Sequence, residues 1–241
     1  SGVATLALLE LGLRLFAPPA VRLFDSSFIG GPGERVVKID RRYEVHPERG
    51  IYQIDAELGY RPVPGGKSYG PHGCKWNEYA PEKPPGKRRV LFLGDSVTDR
   101  GKLQAALRAR LGEDAYEYWN GGVTGYNTQQ ELAYYRDHLG DIAADHVVLT
   151  FHLNDYETTP IVFEVEGDLV AVHSKIGGRY PSPWWMAHCF TYRFVWTMLV
   201  RGTSAGRAAE LEHEVVASLR ELRDLAQARQ ARFTVLLLPW L

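Results

Sequence analysis

Two observations predict an α/β fold with a mostly parallel sheet for the second half of this chain. From residue 88 onwards, strand-like apolar runs alternate with segments of helical periodicity. This alternation is typical of a parallel sheet that is covered by helices on both faces. The chain has 241 residues and is 45% hydrophobic, which is sufficient for one large domain with its own core. We therefore expect one α/β domain over residues 88–241.

Four apolar runs are predicted to form the strands of this sheet. They lie at residues 89–93, 116–120, 146–151 and 233–238, and each is short enough for a buried strand. Successive parallel strands should be joined by right-handed crossovers. Ligands of such sheets bind beyond the carboxyl ends of the strands, so the residues that follow each run are the candidates for function.

The segments between these runs have helical spacing. Leu103, Leu107 and Leu111 recur every four residues and predict one apolar face of a helix. Residues 127–140, with Leu132, Tyr135 and Leu139 on one side, are predicted to be a second helix. Residues 205–230 show the same kind of spacing and are also predicted to be a helix.

Two segments precede the predicted domain. Residues 1–17 are rich in Leu and Ala but include Glu10 and Arg14, and they are shorter than the roughly 20 apolar residues of a spanning helix. We expect either part of a membrane anchor, with its beginning cut off, or an amphipathic helix packed on the domain. Residues 18–87 are rich in Pro and Gly and predict a connecting segment with a few short strands.

The region between the third strand and the last helix is too long for a simple crossover. We interpret residues 156–204 as an insertion, with a hairpin around Gly167 and Asp168 and an aromatic-rich stretch after it. The aromatic stretch is either a lid or acyl-binding wall, or a helix packed over the sheet, or an apolar patch that touches a bilayer.

Composition and motifs give no indication of a nucleic-acid partner, a metal or a cofactor. The net charge is −1, and no basic cluster indicates a nucleic-acid partner. Cys74 and Cys189 do not have the spacing of metal ligands, so they are either separate thiols or, in an exported protein, a disulfide. There is no phosphate loop or dinucleotide motif, and we expect no cofactor and no metal.

Chemically useful groups follow three of the predicted strands. Ser96 comes after the first strand, Gly125 after the second and Asn154 after the third. A serine hydroxyl is a nucleophile when a base activates it, and glycine N–H and asparagine amide groups can hold an oxyanion. Each residue alone has a simpler explanation. Ser96 or Asp95 could cap the next helix, Gly125 could be a turn glycine, and Asn154 could be an ordinary loop residue. Their order along the chain favours the catalytic interpretation.

The sequences "FLGDSVT", "NGGVTGYNT" and "HLNDY" resemble the first three blocks of the SGNH, or GDSL-type, esterase and lipase superfamily. The upstream sequence "ELGYRPVPGG" resembles a segment of the membrane-anchored bacterial members. The resemblance covers roughly residues 88–241 and implies a flavodoxin-like three-layer α/β/α sandwich. It also implies that Ser96 is the nucleophile. Gly125 and Asn154 would then donate to the oxyanion together with the Ser96 N–H.

The chain departs from the family pattern in two places. His152 stands where the third block has glycine, and no aspartate is followed by histidine three residues later. The Asp-x-x-His block supplies the general base in the family, so we expect the base and the last strand to lie beyond Leu241. His152 and His213 are weak alternatives for the base.

The leading hypothesis is a serine ester hydrolase that forms an acyl-serine intermediate on a small-molecule or glycan ester. One alternative is an O-acyltransferase that modifies a cell-envelope polysaccharide, and another is a non-catalytic binding module on the same fold. We expect membrane anchoring with the catalytic domain outside the cytoplasm, or otherwise a secreted or cytoplasmic protein. Without its base, the chain as given should be nearly inert.

Overall fold

The computed structural model divides the chain into two compact units. Unit 1 comprises Ser1–Arg41 and Pro160–Glu210, and unit 2 comprises Arg42–Thr159 and Leu211–Leu241. The structure describes residues 2–16, 36–39, 51–55, 57–66, 68–75, 79–156, 159, 161–165, 168–172, 182–202 and 204–238.

The elements are numbered in chain order. The strands are β1 (Val36–Ile39), β2 (Tyr52–Asp55), β3 (Gly59–Pro62), β4 (Arg88–Gly94), β5 (Tyr116–Asn120), β6 (His146–Phe151), β7 (Ile161–Val165), β8 (Asp168–Val172) and β9 (Arg232–Leu237). The α-helices are α1 (Gly2–Phe16), α2 (Ser96–Asp99), α3 (Lys102–Leu111), α4 (Thr128–Asp137), α5 (Pro183–His188), α6 (Phe190–Gly202) and α7 (Ser204–Ala228). Short 3-10 helices lie at Gly140–Ile142 and Leu153–Tyr156.

Unit 2 is built on a four-stranded sheet in the order β5-β4-β6-β9, and every pair in it is parallel. The predicted α/β class with a parallel sheet is therefore confirmed. Phe92 pairs with Asn120, and Gly94 pairs with Thr150. This register brings the carboxyl ends of β4, β5 and β6 to one edge, where ligands of parallel sheets bind.

The helices of unit 2 begin and end close to the predicted positions, but one apolar face differs from the prediction. In α3, Leu111 is 53% exposed, whereas Gln104 is 3% exposed. The spacing of leucines correctly predicted a helix and wrongly predicted Leu111 as part of its buried face, because α3 turns a polar residue inward. In α4, by contrast, Leu132 and Tyr135 are buried as their spacing indicates.

The segment that we predicted to be a connection contributes to both units. It provides β1 to unit 1 and the antiparallel hairpin β2–β3 to unit 2. In unit 2, Tyr60 is fully buried and its hydroxyl donates to the carbonyl of Thr124 at 2.8 Å, while Tyr126 donates to the carbonyl of Tyr60 at 2.7 Å. These two hydrogen bonds attach the hairpin to the loop that follows β5.

Unit 1 contains a three-stranded antiparallel sheet in the order β1-β8-β7. The hairpin predicted around Gly167 and Asp168 is present as β7 and β8, with Val165 opposite Asp168, while Gly167 itself lies outside the described residues. Helix α1 packs on α6. Within the described ranges, none of the helices combines the length and apolar character that crossing a membrane requires. Neither Cys74 nor Cys189 forms a disulfide.

Candidate active site

Ser96 is the first residue of α2, directly beyond the end of β4. The side chain of Asp95 caps this helix, because its Oδ1 accepts a hydrogen bond from the N–H of Val97 at 2.9 Å. Ser96 is partly exposed, and its hydroxyl makes only one hydrogen bond within the described residues, a long one of 3.4 Å to Asp95 Oδ2. Asp95 therefore takes the capping role, and the hydroxyl of Ser96 is not needed for it.

Gly94 allows the strand to end tightly against its neighbours. Its φ is +149°, and a Cβ at this position would collide with the hydroxyls of Thr98 and Thr150. These two hydroxyls also contact each other, and each lies 3.3 Å from the carbonyl oxygen of Leu93. Only glycine fits this space, and the packing fixes the start of α2 against β6.

The loop after β5 continues beside the end of β4. The N–H of Gly121 donates to the carbonyl of Phe92 at 2.8 Å, and the N–H of Val123 donates to the carbonyl of Gly94 at 3.0 Å. A Cβ on Gly122 would lie 2.5 Å from the backbone nitrogen of Asp99. Backbone hydrogen bonds thus join the loop after β5 to the end of β4. Gly122 lies where α2 comes too close to this loop for a side chain.

Gly125 lies in the turn that leads from this loop into α4. It is buried and has a φ of +82°, which favours glycine. The N–H of Tyr126 closes the turn on the carbonyl of Val123 at 3.2 Å, and Asn127 then starts α4 with a capping box. The structure therefore places Gly125 at the same sheet edge as Ser96, while its role as an oxyanion donor stays a prediction.

Asn154 lies in the 3-10 helix Leu153–Tyr156, directly after β6. Buried Asp155 holds this turn, because its carboxylate accepts from the N–H of His152 and its own N–H donates to the carbonyl of His152 at 3.0 Å. The side chain of Asn154 lies outside the described part of the structure. The backbone thus follows the third strand as predicted, and the role of the amide stays a prediction.

No general base is evident in the described part of the chain. The one hydrogen bond of the Ser96 hydroxyl goes to Asp95, not to a histidine. His152 is partly exposed beyond β6, and His213 is exposed on α7. Among the described residues, no group of three or more His, Cys, Asp or Glu side chains is arranged to hold a metal ion.

A buried ion pair that the sequence did not indicate lies beside α2. Asp99 is 6% exposed and accepts hydrogen bonds from Lys75, from the Tyr69 hydroxyl at 2.8 Å and from Thr124 at 3.2 Å. It therefore ties α2 to the segment that follows β3 and to the loop after β5. An acid at the end of a four-residue helix has no local pattern that would predict such partners.

Glu131 on α4 is a second residue that sequence reasoning missed. It is 1% exposed, and neither of its carboxyl oxygens has a hydrogen-bond partner in the described ranges. Burial is the main cause that raises the pKa of Glu131 well above its ordinary value of 4.5, and the charges of Asp155 and Asp95 raise it further. This buried carboxyl group thus lies close to Asp95 and Asp155, which hold the first and third loops. The spacing of Leu132 and Tyr135 indicated only that α4 has a buried face.

Comparison with known proteins gives similarity to solved structures alone. No family model matches the chain, and no curated protein matches it. A GDSL-like lipase from Bacteroides thetaiotaomicron is similar with 14% identity and a TM-score of 0.27, over 61% of this chain and 68% of that one. The acetyl xylan esterase AlAXEase is similar with 18% identity and a TM-score of 0.29, over 61% of this chain and 77% of that one. The lipase/acylhydrolase from Enterococcus faecalis is similar with 16% identity and a TM-score of 0.28, over 61% of this chain and 74% of that one. Because these values are low, we base the function on the chain's own residues.

Proposed function

We propose that this protein is a serine ester hydrolase in which Ser96 attacks the ester carbonyl and forms an acyl-serine intermediate. The observation that carries the proposal is the position of Ser96 at the carboxyl end of β4. Ser96 is partly exposed there, and Asp95 provides the helix cap in its place. The loops that follow β5 and β6 lie at the same edge of the sheet, where parallel sheets bind ligands.

The reaction would proceed in two steps. The Ser96 oxygen bonds to the carbonyl carbon, its proton passes to a base, and the alcohol leaves when the tetrahedral intermediate collapses. Water then attacks the acyl-serine and releases the acid. The N–H groups of Ser96 and Gly125 and the amide of Asn154 are the proposed oxyanion donors, and losing one such donor typically lowers the rate about 10²- to 10³-fold.

Steady-state hydrolysis of p-nitrophenyl acetate by the full-length protein tests this proposal. We expect Ser96→Ala to lower kcat/KM at least about 10³-fold, because the nucleophile is removed, while its circular dichroism spectrum is unchanged. Ser182→Ala is the matched control and should keep its activity. If Ser96→Ala hydrolyses the ester as fast as the control, the proposal is wrong.

Product analysis separates the related functions. When an acyl donor and a polysaccharide acceptor are both supplied, a hydrolase releases the free acid, whereas an O-acyltransferase leaves the acyl group on the polysaccharide. If Ser96 acquires no acyl group from the donor, with or without the polysaccharide, the remaining hypothesis is a non-catalytic binding module.

We propose separately that α1 contacts a lipid surface. Its two charged residues contact α5 and α6, because Glu10 binds the start of α6 and Arg14 donates to the carbonyl of His188 at 2.6 Å. Apolar side chains that are exposed to water gain free energy when they transfer to a lipid surface. The large exposed apolar side chains of α1 are Val3, Leu6, Leu8, Leu9, Leu11, Leu15 and Phe16.

Co-sedimentation with vesicles of phosphatidylcholine and phosphatidylglycerol tests this second proposal. We expect the wild-type protein to sediment with the vesicles and the double variant Leu8→Glu, Leu15→Glu to remain in the supernatant. Leu111→Glu changes a leucine on α3 that is also more than half exposed (53%), and this variant should still sediment. Equal sedimentation of all three proteins would contradict the proposal.

A further inference from the structure

Unit 2 contains a cavity of about 280 Å³ beside the start of α3. Its walls come from α3 and the two residues before it, from the end of β5 and from Lys75. Three of its lining side chains are cationic, namely Lys75, Arg100 and Arg108. A cavity of this size accommodates a small molecule, and its lining favours a negatively charged one.

Nearby acids neutralise two of these three cations, and the charge of Arg100 remains. The carboxylate of Asp99 is bound to Lys75, with Tyr69 and Thr124 as further donors. Glu113 pairs with Arg108 at 2.8 Å. The guanidinium group of Arg100 has no hydrogen bond or ion pair with any described residue, so its charge adds to the cavity without a matching acid.

The amino terminus of α3 lies at the same place. This helix has ten residues, and its cap is Gly101, which lines the cavity and supplies no side-chain hydrogen bond. The first N–H groups of a helix have no partners within it, and the helix dipole is positive at this end. An anion at such a position gains hydrogen bonds and favourable electrostatic energy together.

Gln104 is the independent observation that indicates a ligand. Its side chain is 3% exposed, it lines the cavity, and neither its amide nitrogen nor its amide oxygen has a hydrogen-bond partner among the described residues. A buried amide without partners is unfavourable. A ligand in the cavity that carries both an oxyanion and a hydroxyl group would provide an acceptor for the nitrogen and a donor for the oxygen.

We propose that this cavity binds a small hydroxylated molecule through its carboxylate or phosphate group, with Arg100, the amino terminus of α3 and Gln104 as its recognition groups. This site does not depend on the chemistry of Ser96. Binding alone therefore tests it, and the result is independent of whether the protein hydrolyses esters.

Titration calorimetry with two probes, glycerol 3-phosphate and glycerate, at constant ionic strength tests the proposal. We expect at least one probe to bind. The probe that binds more tightly shows whether the site prefers a phosphate or a carboxylate group. Arg100→Gln should weaken binding about 10-fold or more, because a charge-assisted hydrogen bond is lost. Arg110→Gln removes the same charge from a residue of α3 that does not line the cavity and should change binding less than about 2-fold. Gln104→Leu should abolish most of the binding without lowering the thermal midpoint.

Amide chemical shifts of the wild-type protein provide a second measurement that needs no variant. On addition of the tighter probe, the largest shifts should occur at the amides of residues 101–104. The proposal is overturned if neither probe binds, if Arg100→Gln and Arg110→Gln weaken binding equally, or if the largest shifts lie elsewhere.

Discussion

At the level of single residues, Gly94 determines whether Ser96 can follow β4 as it does. Replacing it with alanine places a methyl group against the hydroxyls of Thr98 and Thr150 at a φ of +149°. We expect Gly94→Ala to lower the free energy of unfolding by about 3 kcal/mol, from overpacking and backbone strain together. Gly86→Ala is the control, since its φ of +79° is also positive but its Cβ meets nothing within 4 Å, and it should cost about 1 kcal/mol. Urea denaturation measures both, and equal losses would contradict this account of Gly94.

Glu131 gives a prediction about pH. The folded state raises the pKa of this carboxyl group well above 4.5, so the unfolded chain releases the proton at a lower pH than the folded chain does. Stability is therefore fully present below about pH 4.5 and decreases as pH rises towards the folded pKa, by at most about 1.4 kcal/mol per pH unit. Glu131→Gln removes this dependence.

Urea unfolding of wild type and Glu131→Gln at pH 4 and pH 8 checks this prediction. We expect the variant to be more stable than wild type at pH 8, and the difference to shrink or vanish at pH 4. The exposed substitution Glu221→Gln on α7 should have the same small effect at both values. If Glu131→Gln had a pH-independent effect, the folded state would not raise the pKa of Glu131.

At the level of secondary structure, Glu10 connects two helices of unit 1. Its carboxylate accepts from the N–H of Phe190 at 3.0 Å and from the N–H of Thr191 at 2.8 Å, so it caps α6 from α1. Burial raises the pKa of Glu10, but these hydrogen bonds outweigh it and lower the pKa to about 2. The charge is therefore present throughout the physiological range.

Hydrogen exchange at a fixed neutral pH tests this cap. We expect Glu10→Ala to accelerate exchange at Phe190 and Thr191 about 5- to 10-fold, which is the loss of a typical N-cap. Val3→Ala alters an 80% exposed residue of the same helix and should leave both amides protected. Unchanged exchange in Glu10→Ala would show that α6 does not depend on α1 for its cap.

The sequence could predict secondary-structure elements, but not which polar side chains they bury. The strands at residues 116–120 and 146–151 have the predicted bounds, because a short apolar run between polar residues is a local signal. The buried polar side chains of Gln104 and Glu131 were missed, because periodicity assigns them to the solvent. Their burial depends on tertiary neighbours, which no local pattern contains.

At the level of the whole molecule, the division into two units could not be predicted. Unit 1 joins the first 41 residues to residues 160–210, and its sheet pairs Val36 with Val172 across more than half the chain. Such pairings depend on contacts between distant segments. The candidate site was more accessible to prediction, because parallel strands bring their carboxyl ends together whatever else the chain does.

The central claim is that Ser96 is the nucleophile of an ester hydrolase, and trapping of the acyl-enzyme tests it most directly. The full-length protein is mixed with p-nitrophenyl acetate, quenched in acid within the first turnover and analysed by peptide mass spectrometry. We expect one acetyl group per chain on the peptide that contains Ser96, and none in the Ser96→Ala variant. An acetyl group on another residue, or turnover by the wild-type protein with no modification of Ser96, would contradict the claim.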